Sequence, residues 1–495
     1  MKQSTIIKNH NSLEDILIGL GITLVLALFC YYAHFSLIIP LLLLFLGLHL
    51  GYFKKASLQL FLQLGLLLTL LIFTLYMFTK YYTHVPVAYV PVACIGILTI
   101  LLFNDLQLAF IVSFLASVLA GLITSNGLTF SLIFFIGSLS GVYMVKDART
   151  RGRLITTGLF VGFMQVLTAI LLEPEIIFLS FASAPHNLPE IFQAIAQAGA
   201  YLKPIFLSGL IAAFVVIATL KIFELLFGVV TNFSLLELSD FNQPLLRRLL
   251  LEAPGTYQHS LVVSNIAESA ADAVGANGLL TRVGGYYHDV GKLTKPEYFA
   301  ENQYAESKHE HIEPTISRLI ILNHVKDGID IAKKYKLSPH IIDFIPQHHG
   351  TSVIYYFYQR ALEDAGIDET VSQENFRYAG PKPQSRETAI LLLADSVEGA
   401  VRALDDSSPA RIEEVVRKVI NNKFIDGQLD ECDLTLKNIE TISATFTRVL
   451  SAMYHTRIKY PEKKNGNGHH NKKSSETNPN LSQPREADPD GRSGA

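Results

Sequence analysis

Cysteine is almost missing from this 495-residue chain, and charge is sparse over its first 230 residues. The three cysteines are Cys30, Cys94 and Cys432. Two fall in apolar runs and one in a mixed polar region, so no disulfide framework is implied and a reducing compartment suits the polar part. So few thiols also argue against a structural zinc site built from thiolates. A net charge of −3 gives no electrostatic footprint for a nucleic acid polymer. No internal repeat is evident. No row of charges threads the apolar half, which argues against an ion or solute path.

What the first half has instead is long hydrophobic runs: 15–32, 36–53, 58–79, 86–103, 106–124, 128–145, 154–172 and 205–229. Each is long enough to cross a bilayer, so about eight spans are expected. The first run is too long, and lacks the small-residue cleavage site, for a removable signal peptide; it is expected to stay as an anchor. Short loops rich in Lys and Arg stay cytoplasmic. Lys54-Lys55 and the group Lys146, Arg149, Arg151 and Arg153 therefore mark the inner side, and the acidic loop 173–203 the outer. Parity then places everything after residue 230 in the cytoplasm, beneath the cell inner (plasma) membrane. Lys221 and Glu224, spaced i,i+3 near the inner end of the last span, read as an interfacial ion pair.

The expected organisation is all-α: a membrane bundle over 1–231, an amphipathic helical connector over 232–253, a helical domain over 254–460 and a disordered tail over 461–495. Within the helical domain, 3.6-residue apolar spacing predicts helices at 256–274, 277–290, 312–324, 327–336, 338–348, 352–363, 386–403, 408–423 and 435–455.

Five histidines and two aspartates run through this domain: His259, His288-Asp289, His324, His348-His349 and Asp395. Neutral imidazole and carboxylate suit divalent transition metals, and seven such groups are enough for two ions, with Mn or Fe favoured. Two contiguous pairs stand at expected helix ends, each followed closely by a glycine, Gly291 or Gly350. Adjacent helical residues point about a hundred degrees apart, which suits Asp289 to touch both ions while His288 binds one. Asp395 lies in the apolar run ILLLADSVEGA, where an unpaired carboxylate is costly and a metal removes the cost. His309, His311 and His340 read as structural, although His309 could line the site. Two metals roughly 3.5–4 Å apart can activate a shared water for in-line attack on phosphorus. Lys292 is the candidate for holding the phosphate or stabilising the transition state.

From about residue 252 to 460 the chain resembles the seven-transmembrane HD-domain family, of the PgpH type of cyclic di-AMP phosphodiesterase. The motifs that carry the likeness are EAPGTYQHS, RVGGYYHDVGK, the ENQ at 301–303, HVKDG, QHHGTSVIYYFY, FRYAGPKPQSRETAILLLADSVEGA and DGQLDECDLTL. The resemblance implies one metal held by His259, His288, Asp289 and Asp395. It implies a second held by Asp289, His324, His348 and His349, with Asp289 bridging. The implied reaction is hydrolysis of cyclic di-AMP to pApA, a step of second-messenger signalling; a homodimer is compatible with it. The family usually carries a large extracellular domain after the first span, where this chain has only a few residues near 32–36. It also tends to an Asn-Pro-His-Asp motif where this chain reads ESKHEHIEP. Three rivals remain at this stage. A nucleotide triphosphohydrolase or (p)ppGpp hydrolase usually needs only a simpler His, His-Asp, Asp set, and His324 and His348-His349 speak against it. A cyclic di-GMP phosphodiesterase would show Gly-Tyr-Pro after the histidine pair, and HHGTS leads into VIYYFY instead. A membrane receptor with a nucleotide-binding, non-catalytic HD domain would keep the ligands without turnover.

Overall fold

The structure is a computed structural model that describes residue 24 and residues 58–124, 127–146, 148–175, 188–303, 308–364 and 371–454. The expected spans 15–32 and 36–53 (Leu24 apart), Cys30, Lys54-Lys55 and the tail 461–495 lie outside the described residues. Among the described residues the chain is helical, and strand-like pairing is confined to one antiparallel bridge between Val353 and Arg377.

The apolar half forms α1 (Leu58–Lys80), α2 (Ala93–Phe103), α3 (Leu106–Ile123), α4 (Gly127–Val145), α5 (Arg151–Leu172) and α6 (Leu188–Phe227). Five of these, all but α2, are long and apolar enough to cross a membrane. The run 86–103, expected as one span, is broken. Val87–Tyr89 makes a short 3-10 turn and α2 has only 11 residues, about 16 Å of helix. Pro86 and Pro91 supply no backbone N–H, which ends helical hydrogen bonding on either side of that turn. The last span departs in the opposite sense. The segment 173–203 was expected as a loop, yet α6 starts at Leu188 and runs 40 residues with Pro204 inside it. Its alanine-rich start favours helix, and its length of roughly 60 Å is about twice the hydrocarbon thickness of a bilayer.

Small residues set the helix spacing here. A Cβ on Gly162 of α5 would stand 2.3 Å from the Phe206 carbonyl of α6, and Gly209 of α6 is equally close to Gly162. Where lipid tails remove the hydrophobic drive between helices, such close backbone contact holds them together. Beside it, the buried Ser208 hydroxyl donates to Gln165 Oε1 at 2.8 Å.

After α6 come α7 (Asn232–Leu238) and α8 (Pro244–Glu252). Glu224, buried near the end of α6, accepts hydrogen bonds from the hydroxyls of Thr231 and Ser234, the latter at 2.6 Å. Lys221 lies 3.4 Å from Glu224, the i,i+3 pair expected from the sequence, and also donates to Ser234 at 2.9 Å. Arg151 at the start of α5 pairs with Glu237 of α7 at 3.0 Å. On their other face, Leu235, Leu245, Leu246 and Leu249 are buried in one apolar cluster with Tyr287 and Val290 of the domain that follows. The Tyr287 hydroxyl donates to the Leu238 carbonyl at 2.8 Å, so α7 touches the residue next to His288.

That domain contains α9 (Pro254–Ala273), α10 (Gly278–Tyr287), α11 (Pro314–Lys334), α12 (Pro339–Ile342), α13 (Phe344–Gln347), α14 (Tyr355–Asp364), α15 (Arg386–Arg402), α16 (Pro409–Ile425) and α17 (Leu436–Met453). Its axis is α15, started by a reciprocal cap between Ser385 and Thr388. Ala389 to Ala394 are inaccessible to solvent on every side, enclosed by α9, α16 and α17. A helix apolar all round belongs in a core, and Asp395 is its first polar residue after that run. Two helices expected at 312–324 and 327–336 join into α11. Gly328 does not stop it, because there α11 crosses the turn after Asp289 at close range. A Cβ on Gly291 would lie 1.8 Å from the His324 carbonyl. Gly291 thus earns its place by close approach rather than as a helix stop. The expected helix 338–348 is two single turns, α12 and α13.

Candidate metal centre

Five elements deliver the seven candidate ligands to one buried point. His259 lies in the second turn of α9; His288 caps α10 and Asp289 begins the 3-10 turn Val290–Thr294. His324 comes from the middle of α11, His348 caps α13 with His349 beside it, and Asp395 comes from α15. Glycines let the elements close up: a Cβ on Gly284 would meet the Phe344 ring at 2.5 Å, and one on Gly285 the Ser264 hydroxyl at 2.4 Å. Gly350, with φ +53°, turns the chain after the histidine pair.

Asp289 stands at the middle, 1% exposed. Its Oδ2 is 3.2 Å from His288 Nε2 and 3.6 Å from His259 Nε2. Its Oδ1 is 3.5 Å from His324 Nε2 and 3.6 Å from His348 Nε2. The two oxygens of one carboxylate thus face two different imidazole pairs. Asp395 completes the ring, with Oδ1 3.0 Å from His259 Nε2 and 3.8 Å from His288 Nε2, and Oδ2 3.6 Å from His349 Nδ1. Two triads have ligand atoms within 4.8 Å of one another: His259, His288 and Asp289, and His324, His348 and His349.

Four of the imidazoles are each held through Nδ1. His288 Nδ1 meets the Gly285 carbonyl at 2.7 Å and His348 Nδ1 the Ile345 carbonyl at 2.6 Å. His324 Nδ1 meets Ile321 in the same i−3 manner, and His259 Nδ1 meets Glu398 Oε2 at 2.7 Å. With Nδ1–H donated outward, Nε2 is the ring nitrogen that faces the centre, able to bind a cation once it is deprotonated. Two buried atoms there, His288 Nε2 and Asp289 Oδ1, have no hydrogen-bond partner. Buried polar atoms are normally satisfied, and divalent cations would satisfy both. The donor set therefore fits metal binding.

A family model described as "7TM receptor with intracellular HD hydrolase" matches residues 16–231, and an "HD domain" model matches residues 256–400. The chain belongs to the seven-transmembrane HD-domain family. It is 39% identical over 377 residues to the cyclic-di-AMP phosphodiesterase PgpH of Bacillus subtilis, covering 74% of this chain and 50% of that protein. To PgpH of Listeria monocytogenes it is 38% identical over 341 residues, 69% of this chain and 45% of that one. The chain thus spans about half the length of these curated relatives. A crystal structure of the Listeria PgpH HD domain aligns with 46% sequence identity and a TM-score of 0.41, covering 43% of this chain and all of that one.

Charge in the HD centre follows from its geometry. Burial disfavours a charged His288, yet Asp289 and Asp395 beside it overturn that and raise its pKa to about 10 in the metal-free site. Burial, reinforced by the charge on His288, pushes His348 down to about 3. Asp289 is buried, but Lys292 and His288 hold it well below the usual carboxylate range. Lys292 is fixed between two carboxylates, 2.7 Å from Asp289 Oδ2 and 2.7 Å from Glu301 Oε1, and both keep it charged despite burial.

Sequence reasoning assigned no role to Glu398 or Glu301, the partners of His259 and Lys292. Glu398 lies three residues past Asp395 on the same helix, a spacing that could have exposed it. Of the tyrosines close in sequence to the candidate ligands, Tyr286 and Tyr287 are buried, and Tyr355 and Tyr356 are exposed. The ring that does lie on the HD centre is Tyr378, stacked on His349 with centroids 4.2 Å apart. His309 is outside the cluster and bonds to the Tyr298 carbonyl at 2.7 Å. Beside the ligands opens a cavity of about 300 Å³, lined by His259, His349, Asp395, Lys292, Tyr378 and Lys423 among others. Ligand pockets run from roughly 300 to 1,000 Å³.

Proposed function

We propose that this chain is a membrane-anchored phosphodiesterase that hydrolyses cyclic di-AMP to pApA at a centre of two divalent ions, Mn or Fe. The single observation that carries it is the split of Asp289, whose oxygens face His259 and His288 on one side and His324 and His348 on the other. A carboxylate so placed would have one oxygen free for each of two ions. His259, His288, Asp289 and Asp395 would hold one ion; Asp289, His324, His348 and His349 the other. Bound there, paired ions supply an activated water and neutralise charge on the phosphoryl oxygens. Asp289 would hold both ions, and Lys292 fixes Asp289 from the cavity wall, where its ammonium would also stabilise charge developing on phosphorus. The substrate is taken from what both curated PgpH relatives are named for.

The proposed division is a bundle over 1–231, a connector over 232–253, the HD domain over 254–460 and a tail beyond. The Arg151–Glu237 pair supports its orientation in the inner membrane: it joins the basic loop before α5 to the connector, so both lie on one side. Basic loops stay cytoplasmic, which places the HD domain there too.

The test uses the full chain in lipid nanodiscs with Mn²⁺ and, separately, cyclic di-AMP and cyclic di-GMP. Release of pApA from the first is expected. Mn²⁺ binding without hydrolysis of either would replace the enzyme by a receptor, and hydrolysis confined to cyclic di-GMP would replace the substrate.

A further inference from the structure

Two lysines line the cavity beside the ligands, and they differ in what neutralises them. Lys292 is clasped by Asp289 and Glu301. Lys423, near the end of α16, has Ser352 Oγ as its hydrogen-bond acceptor, at 2.7 Å, and forms no ion pair among the described residues. Ser352 is three residues past His349 and belongs to the same wall. Burial draws the Lys423 ammonium below the ordinary lysine value, against the pull of the more distant Asp395 and Asp426. An ammonium taken out of water with one neutral partner carries a desolvation cost that its surroundings do not repay. Lysine presents three donors, and Ser352 uses one.

The surroundings hold Lys423 in place rather than neutralise it. Gln428, on the turn after α16, binds the Thr351 backbone N–H at 2.8 Å, and Arg377 grips Asp426 at 2.9 Å while reaching the Thr351 carbonyl at 2.8 Å. The wall segment 351–352 and the end of α16 are thereby fixed to each other. Such a rigid, half-buried cation facing a cavity is suited to an anion that arrives with the ligand. The position is set back from the metal ligands, since neither Asp395 nor Asp289 comes within ion-pair distance of it.

We propose that Lys423, oriented by Ser352, forms an anion subsite for the second, uncleaved phosphodiester of a cyclic dinucleotide. This rests on the phosphodiesterase reading above and adds a reason for preferring a substrate with two phosphates. A cyclic dinucleotide places its second phosphate across the ring from the scissile one, so one ligand can satisfy the metal centre and the lysine together. A simple diester satisfies only the first.

The experiment compares the full-length wild type with Lys423→Met and Lys423→Arg, all with Mn²⁺, on cyclic di-AMP and on bis(4-nitrophenyl) phosphate, which has a single phosphate. Lys423→Met is expected to raise KM for cyclic di-AMP about 10- to 100-fold, the worth of one charge-assisted hydrogen bond, with kcat changed far less. The ratio of kcat/KM between the two substrates should fall by a similar factor, and Lys423→Arg should restore part of it. Equal losses on both substrates, or no loss on either, would overturn the subsite. If the wild type cleaves the simple diester but no cyclic dinucleotide, the substrate assignment fails instead. Binding of cyclic di-AMP then decides the subsite: an unchanged Kd in Lys423→Met rejects it, and a tenfold weaker one supports it.

Discussion

Glu398 offers a sharp check on the centre because it is no ligand, yet it holds one. Its Oε2 lies 2.7 Å from His259 Nδ1, and the residue is 2% exposed. Its only other ionic neighbour among the described residues is Arg402, at 3.5 Å. Glu398→Ala removes the acceptor that fixes the His259 tautomer and turns its Nε2 toward Asp289 and Asp395. Loss of such a support lowers metal affinity about 10- to 100-fold, or roughly 1.4–2.7 kcal/mol. Glu398→Gln keeps an acceptor but loses its charge. Charged hydrogen bonds are about twice as strong as neutral ones, so this variant should fall between wild type and alanine. The assay is Mn²⁺ titration by calorimetry together with activity against Mn²⁺ concentration. The alanine variant should need more metal for half-activity and regain most of its rate at saturation. Metal affinity and activity equal to wild type in Glu398→Ala would refute the proposed role of His259 as a ligand held through Nδ1.

Gly291→Ala changes no ligand, but its Cβ would lie 1.8 Å from the His324 carbonyl. It should displace α11 and cut activity at least tenfold, with a matching loss of bound metal by elemental analysis; a fully active variant would disprove the close approach. Tyr287→Phe removes the bond to the Leu238 carbonyl and should cost about 1–3 kcal/mol if that carbonyl stays dry, read as a lower denaturation midpoint of the nanodisc-held chain. In the metal-free protein His288 has a pKa raised to about 10. A raised group contributes stability that is full below its unfolded value, about 6.5, and is lost as pH rises through about 10. Thermal denaturation of the metal-free chain should therefore drop between pH 7 and 10. Because the ligand form is neutral, Mn²⁺ binding at pH 8 should release a proton, seen as a buffer-dependent binding enthalpy. No buffer dependence would reject a charged His288.

The candidate cluster was legible because its residues are unusual in their setting. Two histidine-containing pairs at helix ends and an aspartate inside an apolar run stand out from ordinary helical patterning. The groups around them do not stand out. Lys423 and Glu398 lie among other charged residues on amphipathic helices, and only the packing of α15 and α16 reveals which charges turn inward. The expected gap between helices at 324 and 327 was wrong for a related reason: apolar spacing lapses there, whereas α11 runs through it and Gly328 is the small residue at a helix crossing. The membrane half was legible as apolar runs but not as lengths. Prolines divide 86–103, and alanines extend α6 well ahead of the run that marks it.

Residues 228–231 are all that separate the last long helix of the bundle from α7, and the hydroxyls of Thr231 and Ser234 tie that short stretch back to Glu224. At its far end α7 leans on Tyr287, one peptide bond from His288. The end of the bundle and the turn that carries His288 and Asp289 are thus joined by one short helix, pinned by hydrogen bonds at each end.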